Sequence, residues 1–173
     1  MERHTLQPMV IAVISDTHLP RGARRIPDAC VARMRESDLV IHAGDIATRA
    51  VLDQIADTAD KPVLAVHGNV DSPDLRNALP ESRLVDADGA KIAVVHDAGP
   101  ATGRLNRMRK RFPDAHAVVF GHSHIPLHEA DERDGFQIFN PGSPTDRRRQ
   151  PRHTMGMAHA VDGEVSFTLH DLD

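Results

Sequence analysis

Seven side chains able to bind a metal ion punctuate this sequence, and each follows closely on a short apolar run. Asp16 and His18 come after MVIAVI, Asp45 after LVIHA, Asn69 after PVLAV, His96 after KIAVV, and His122 with His124 after AVVF. Oxygen and nitrogen donors without a thiolate suit divalent cations such as Mn, Fe, Ni or Zn, rather than a structural zinc. The number is informative: two ions sharing one carboxylate would each receive four protein contacts and keep open positions for water. Each signal is weak alone, because Asp-Thr-His or Gly-Asp is common and a lone histidine is more often a hydrogen-bonded surface or core residue. Their order and their shared position after apolar runs make them one pattern.

That position implies the elements that hold them. Runs of Val and Ile at 9–14, 39–43, 62–66, 91–95 and 117–120 read as buried strands. Helices are expected between the first three, at about 26–36 with Pro27 near its first turn and at about 47–58 with Thr48 as its cap. The opening is therefore a βαβαβ unit with parallel strands, whose carboxyl ends gather on one edge. A short helix starts near Ser72 and Pro73, and a basic one covers about 101–112. Asp88-Gly89, Asp134-Gly135 and Asp162-Gly163 signal tight hairpins, so antiparallel strands join the parallel beginning. The expected fold is α/β, a two-sheet mixed β-sandwich flanked by helices, in one domain over 1–173. Gly44, Gly68 and Gly121 each precede a donor and are expected to let the backbone turn sharply.

Composition narrows the function. There are no Trp or Tyr and only 5 Phe, so an aliphatic core is expected, and the scarcity argues against an aromatic platform for single-stranded nucleic acid. A net charge of -4 gives no general attraction to nucleic acid or anionic lipid. The only cysteine, Cys30, excludes an internal disulfide and fits a reducing, cytoplasmic setting. The first apolar run spans only Met9 to Ile14, too short for a signal peptide, and no stretch is long enough to cross a membrane. A homodimer is the default expectation at this size.

In combination, D-x-H at 16–18, G-D at 44–45, G-N at 68–69, His96 after a strand, G-H-x-H at 121–124 and the closing NPGSP at 140–144 resemble the calcineurin-like metallophosphoesterases. The lack of an inserted domain is similar to their small bacterial and archaeal phosphodiesterase branch, which includes Vps29-like proteins. The resemblance spans residues 9 to about 168. It implies that Asp16, His18 and His124 hold a first ion, Asn69, His96 and His122 a second, and that Asp45 bridges them. It also implies a helix-flanked β-sandwich, two divalent ions with Mn²⁺ first, and Ni²⁺, Fe²⁺ or Zn²⁺ as alternatives. The expected activity is that of a phosphoesterase, foremost a phosphodiesterase, on a small phosphate ester. A bridging hydroxide would attack phosphorus in line, with Asp45, Asn69, His96 and Asp71 as catalytic residues. Two carboxylates against two dications leave a local charge of about +2 that attracts phosphate despite the acidic whole.

The sequence also departs from the wider superfamily. Where many members read G-N-H-E or G-N-H-D, this chain has Gly68-Asn69-Val70-Asp71, so the histidine that serves the leaving group is missing. Substrates with acidic leaving groups, such as aryl phosphodiesters, are therefore expected to be preferred. Asp97 stands where the glycine of His-Gly is usual after His96, and either holds a water near the second ion, orients a histidine, or opens an exposed loop. Asp71 is either a proton shuttle or the cap of the helix at Ser72, and Arg147 to Arg149 either a phosphate clamp or a solvated loop. His42 should bond backbone or a neighbour of the ligands, while His67, His116, His128, His153 and His159 have no motif support. The basic cluster from Arg104 to Arg111 suits a helix C-terminus and carries no nucleic-acid function. Ser123 misses the hydrolase elbow G-x-S-x-G because Ile125 occupies its last position, leaving it an inert spacer. The competing function is a non-catalytic, metal-binding interaction scaffold of the Vps29 kind, which metal content together with phosphoester hydrolysis would separate from an enzyme.

Overall fold

A computed structural model describes residues 7–21 and 24–173. The charged start of the chain lies outside the described residues. Strands β1 (Met9–Ile14), β2 (Leu39–His42) and β3 (Val63–Ala65) alternate with helices α1 (Asp28–Glu36) and α2 (Arg49–Ala59). Next come α3 (Pro73–Ala78), the hairpin β4 (Ser82–Ala87) and β5 (Ala90–Val95), α4 (Arg104–Arg111) and β6 (Ala117–Val119). Strands β7 (Leu127–Ala130), β8 (Gln137–Asn140), β9 (Thr154–Val161) and β10 (Glu164–Asp171) close the described chain. The strands form two five-stranded sheets, ordered β10-β9-β1-β2-β3 and β4-β5-β6-β8-β7. This is the expected mixed sandwich, with the opening βαβαβ unit parallel throughout.

Strands β1, β2, β5 and β6 lack an in-out alternation because they are buried on both faces. In β1, Ile11 and Val13 point between the sheets, where Ile41, Ile92, Val94, Val119 and Phe139 meet them. Ala12 and Ile14 point the other way, onto Cys30 and Met34 of α1 and Val51 and Ile55 of α2. The second sheet repeats the arrangement, with Val95, Val118 and Ile138 packed on Met108 of α4. Three apolar layers thus hold four layers of structure rigid. Burial also pushes the Cys30 thiol up to about 12, so it is an inert core residue.

Register then decides where the loops fall. Ile14 pairs with His42, and His42 with Ala65, so the first three strands end at one level. In the second sheet Val94 pairs with Val119, aligning the ends of β5 and β6.

Local signals are mostly followed, with small displacements. Thr48 caps α2, its Oγ1 accepting from Val51 N at 3.3 Å. Pro27 is the cap of α1 rather than part of its first turn, and α4 begins only after Gly103, whose φ of 72° is incompatible with helix. Asp88-Gly89 and Asp162-Gly163 form the expected two-residue hairpins, with φ of 50° and 83°, and 49° and 81°. Asp134-Gly135 does not: β7 and β8 are joined by the longer loop 131–136. Asp131 organises that loop, its N–H donating to Phe136 O, its carbonyl accepting from Gly135 N, and its carboxylate binding Arg133 and Arg109. The two tight turns clasp each other, Asp88 accepting from Gly163 N at 2.9 Å through its carbonyl and from Asp162 N at 2.8 Å through its carboxylate.

Gly163→Ala tests that clasp. A methyl there would find space, the nearest atom being Gly89 O at 3.9 Å, so only the left-handed backbone opposes it. A loss of about 1 kcal/mol is expected, seen as a lower urea midpoint at unchanged slope.

Candidate metal centre

The aligned strand ends bring all seven sequence-selected donors into one cluster at the seam of the two sheets. The loops after β1, β2 and β3 supply Asp16, His18, Asp45 and Asn69, and those after β5 and β6 supply His96, His122 and His124. Two triads result, Asp16 with His18 and His124, and Asp45 with His96 and His122, the donor atoms of each lying within 4.8 Å of one another. Asn69 Oδ1 joins the second, 3.1 Å from His96 Nε2 and 3.2 Å from His122 Nδ1. Asp45 Oδ2 stands between the triads, 3.6 Å from His18 Nε2 and 3.2 Å from His96 Nε2.

The cluster fits cations better than it fits itself. Asp16 Oδ1 is buried without any hydrogen-bond donor, although it lies 3.5 Å from His124 Nε2 and 3.9 Å from His18 Nε2. The other oxygen, Oδ2, is already satisfied by Ser15 Oγ and His122 N. His124 Nδ1 donates to Asp146 O, and His96 Nδ1 to Ala43 O at 2.7 Å, so both rings turn Nε2 toward the cluster as the atom that takes a proton or an ion. His18 Nε2 and His124 Nε2 are 3.2 Å apart. Donors bound to one ion at about 2.0–2.2 Å stand roughly 3–3.6 Å from each other, the spacing of His124 to His18 and to Asp16 and of His96 to Asp45.

Protons compete for the same lone pairs. Burial drives the Asp16 carboxyl up to about 7. Burial alone would lower His96, yet its bond to Asp45 and the charges of Asp16 and Asp45 carry it up to about 9. For Asp45 burial opposes ionisation, but the His96 bond and charge and the Val70 N–H hold it below the ordinary carboxylate range.

The backbone at these donors is unusual. Asp16, His18, Asp45, His122 and His124 all have left-handed φ, between 45° and 71°. The sharp turns are thus made largely by the donors themselves, at a cost on the order of 1 kcal/mol each. Of the three glycines expected to supply them, only Gly44, with φ of 99°, does so. Gly68 and Gly121 are needed for room: a Cβ on Gly68 would overlap Asp45 Oδ1, and one on Gly121 would overlap Ser15 Oγ and come within 2.7 Å of Asp16 Oδ2.

Hydrogen bonds between loops hold this geometry. Asp71 is buried and accepts from Gly68 N at 2.7 Å, Ala47 N at 2.8 Å and Asp45 N at 3.2 Å. It is therefore neither a free proton shuttle nor a helix cap; both oxygens are committed to tying the Asp45 loop to the Asn69 loop. His42 behaves as expected, Nδ1 accepting from Gly44 N at 3.1 Å and Nε2 donating to Thr17 Oγ1 at 3.0 Å. Burial pushes its pKa down to about 3, which keeps it neutral. In the NPGSP segment Ser143 Oγ donates to Asp16 O at 2.8 Å, and just beyond it Thr145 Oγ1 donates to Thr17 O at 2.7 Å. Ser123 is a spacer, its Oγ accepting from Ile125 N and Asn140 Nδ2. Asp97 is exposed and accepts from Gly99 N at 2.8 Å, so it opens its loop as an Asx turn. Sequence reasoning missed Asp146, whose contribution to His124 is a backbone carbonyl and leaves no mark on residue type.

A family model described as the calcineurin-like phosphoesterase superfamily domain matches residues 9–163. A protein named probable metallophosphoesterase from Methanothermobacter thermautotrophicus is 32% identical over 158 residues, 90% of this chain and 88% of its own. Another of that name, from Methanocaldococcus jannaschii, is 36% identical over 140 residues, 79% of this chain and 69% of its own. Among solved structures, Vacuolar Protein Sorting 29 from Cryptosporidium parvum has a TM-score of 0.75 at 18% identity, covering 95% of this chain and 98% of that one. Further Vps29 structures share the fold, also below 25% identity.

Two outcomes follow from the geometry. Asp71→Ala leaves three N–H groups unpaired, so a loss of roughly 2–3 kcal/mol in denaturant unfolding is expected together with weaker metal uptake. A lost limb in the pH–rate profile with stability unchanged would instead return Asp71 to a shuttle. Metal-stripped protein should release protons when it takes up ions near pH 7, because Asp16 keeps its proton up to about 7 and His96 up to about 9. Calorimetric titration in buffers of different ionisation enthalpy measures that release, and affinity should climb as pH rises through that range.

Proposed function

Because the chain belongs to the calcineurin-like phosphoesterase superfamily, we propose that its seven-donor cluster is a dinuclear metal centre and that the protein is a metal-dependent phosphodiesterase. Asp16, His18 and His124 would hold the first ion, Asn69, His96 and His122 the second, with Asp45 shared between them. The observation that carries this reading is the buried, donorless Asp16 Oδ1, 3.5 Å from His124 Nε2 and 4.0 Å from His96 Nε2, two imidazoles whose tautomers are set by backbone carbonyls. Two dications bound there, Mn²⁺ foremost with Ni²⁺, Fe²⁺ or Zn²⁺ compatible with the same donors, would supply Lewis acidity at phosphorus and a water acidified toward neutrality.

The remaining chemistry belongs to the chain. Asp45 is kept ionised between the triads, while Asp71 and His42 fix the loops that carry it. Val70 is 52% exposed beside Asn69 and offers only its backbone N–H, which is donated to Asp45 Oδ1 at 3.1 Å. No side chain at that position can protonate a departing alkoxide, which supports a preference for diesters with acidic leaving groups. A reducing, cytoplasmic setting is part of the proposal and rests on the lone, buried Cys30.

The solved folds lean toward a second reading, a metal-binding interaction scaffold, since Vps29 recurs among them. Both readings need the metal centre, and hydrolysis separates them. Purified protein supplied with Mn²⁺ is expected to bind two ions and cleave bis(p-nitrophenyl) phosphate, with rates falling steeply as the leaving group becomes less acidic. Asp45→Ala should lose ion binding and at least about 100-fold in rate. Two bound ions without hydrolysis of any diester or monoester would establish the scaffold, and an Asp45→Ala variant that keeps ions and activity would refute the site.

A further inference from the structure

The loop after β8 is fastened to the first triad. Ser143 and Thr145 donate to the carbonyls of Asp16 and Thr17, Asp146 O receives His124 Nδ1, and Arg24 Nη1 braces Asp146 Oδ2 at 3.2 Å. Immediately beyond, residues 147–150 form a turn closed by Gln150 N to Arg147 O at 2.9 Å and by Arg147 Nη1 to Gln150 O at 2.6 Å. Arg148 occupies the first central position of this turn with φ of 50°. Glycine, Asn or Asp normally fills such a position, because a longer L side chain pays a left-handed penalty there.

Nothing in the turn compensates that strain. Among the described residues the Arg148 guanidinium has neither a carboxylate partner nor a hydrogen bond, and the side chain is exposed. It is nevertheless held close to the cluster: Asp146, two residues before it, receives His124 Nδ1 on its carbonyl and Arg24 on its carboxylate. Arg147 is occupied in closing the turn, and of the three arginines only Arg148 has left-handed backbone. A strained backbone holding an unpaired cation beside ligands for two further cations is arranged for an anion between them.

We propose that Arg148 is a phosphate-binding residue of this site, setting its guanidinium fork against non-bridging phosphate oxygens on the side of the first triad; this rests on the reading of the seven donors as a phosphoester centre. The planar fork binds two oxygens of one phosphate at once, which a single ion position does not, and so fixes the orientation of the ester as well as its charge. Of the two expectations for Arg147 to Arg149, clamp or solvated loop, the proposal gives the clamp to Arg148 alone.

The test uses Mn²⁺-loaded full-length protein and inorganic phosphate, with affinity measured by calorimetry and unfolding by thermal melting. Arg148→Gly should weaken phosphate on the order of 10- to 100-fold. Its melting temperature should hold or rise, because glycine accepts the left-handed turn without penalty. Arg148→Lys should keep part of the affinity, and Arg149→Ala should match wild type. The proposal is overturned if Arg148→Gly binds phosphate like wild type, or if Arg149→Ala loses as much, which would mark a diffuse field. Two ions bound without phosphate would also overturn it while leaving the metal assignment intact. Absence of ion uptake would remove the site reading and the proposal together.

Discussion

Two carboxylates held in the interior at the seam between two sheets set the terms for everything around them. Asp16 and Asp45 follow adjacent parallel strands; burial raises the cost of ionising both, and the Asp45 charge raises that of Asp16 further. Histidine rings surround them, with ring nitrogens 3.2 to 4.0 Å from their oxygens. Such a cluster is stable only when positive charge enters it, as protons on Asp16 and His96 or as metal ions. The competition between those two occupants follows from the same geometry that makes the site selective for cations.

Holding the donors at that density requires strain, and the sandwich is what resists it. Five donors sit in left-handed backbone, a conformation the loops would abandon if the strand ends could move. They cannot move easily, because β1, β2, β5 and β6 are buried on both faces by aliphatic layers. Asp71, His42 and the Ser143 to Asp146 segment then join loop to loop, so a shift in one is felt by its neighbours. The missing methyls at Gly68 and Gly121 are part of the same constraint, since the space they leave is filled by the Asp45 and Asp16 side chains.

What could be read from the chain follows this division. The donors and their placement were legible because a strand end is a local event, an apolar run meeting a polar residue, and Thr48 as a cap or Asp162-Gly163 as a turn are equally local. The work of Asp71 was not, since two of the N–H groups it receives come from 24 and 26 residues away. Nor was the steric reason for Gly68 and Gly121, which depends on atoms of the Asp45 and Asp16 loops. Asp134-Gly135 misled because a stronger local organiser, Asp131 with its two arginines, precedes it and sets a longer loop.

The complete ligand set does not by itself separate enzyme from scaffold, because ions that tie the loops of two sheets together stabilise the fold in either case. The surroundings of the ligands are more discriminating. Val70 and Ile125, each adjacent to a donor in sequence, are exposed at 52% and 49%, an apolar rim that suits either an ester's organic arm or a protein partner. The role proposed for Arg148 fits the first of these. Next to a centre carrying about +2 once filled, a further guanidinium is repelled, and the turn that presents it is itself strained. A surface that merely docks an apolar partner gains nothing from that repulsion, whereas a phosphate oxygen seated between guanidinium and ions converts it into attraction.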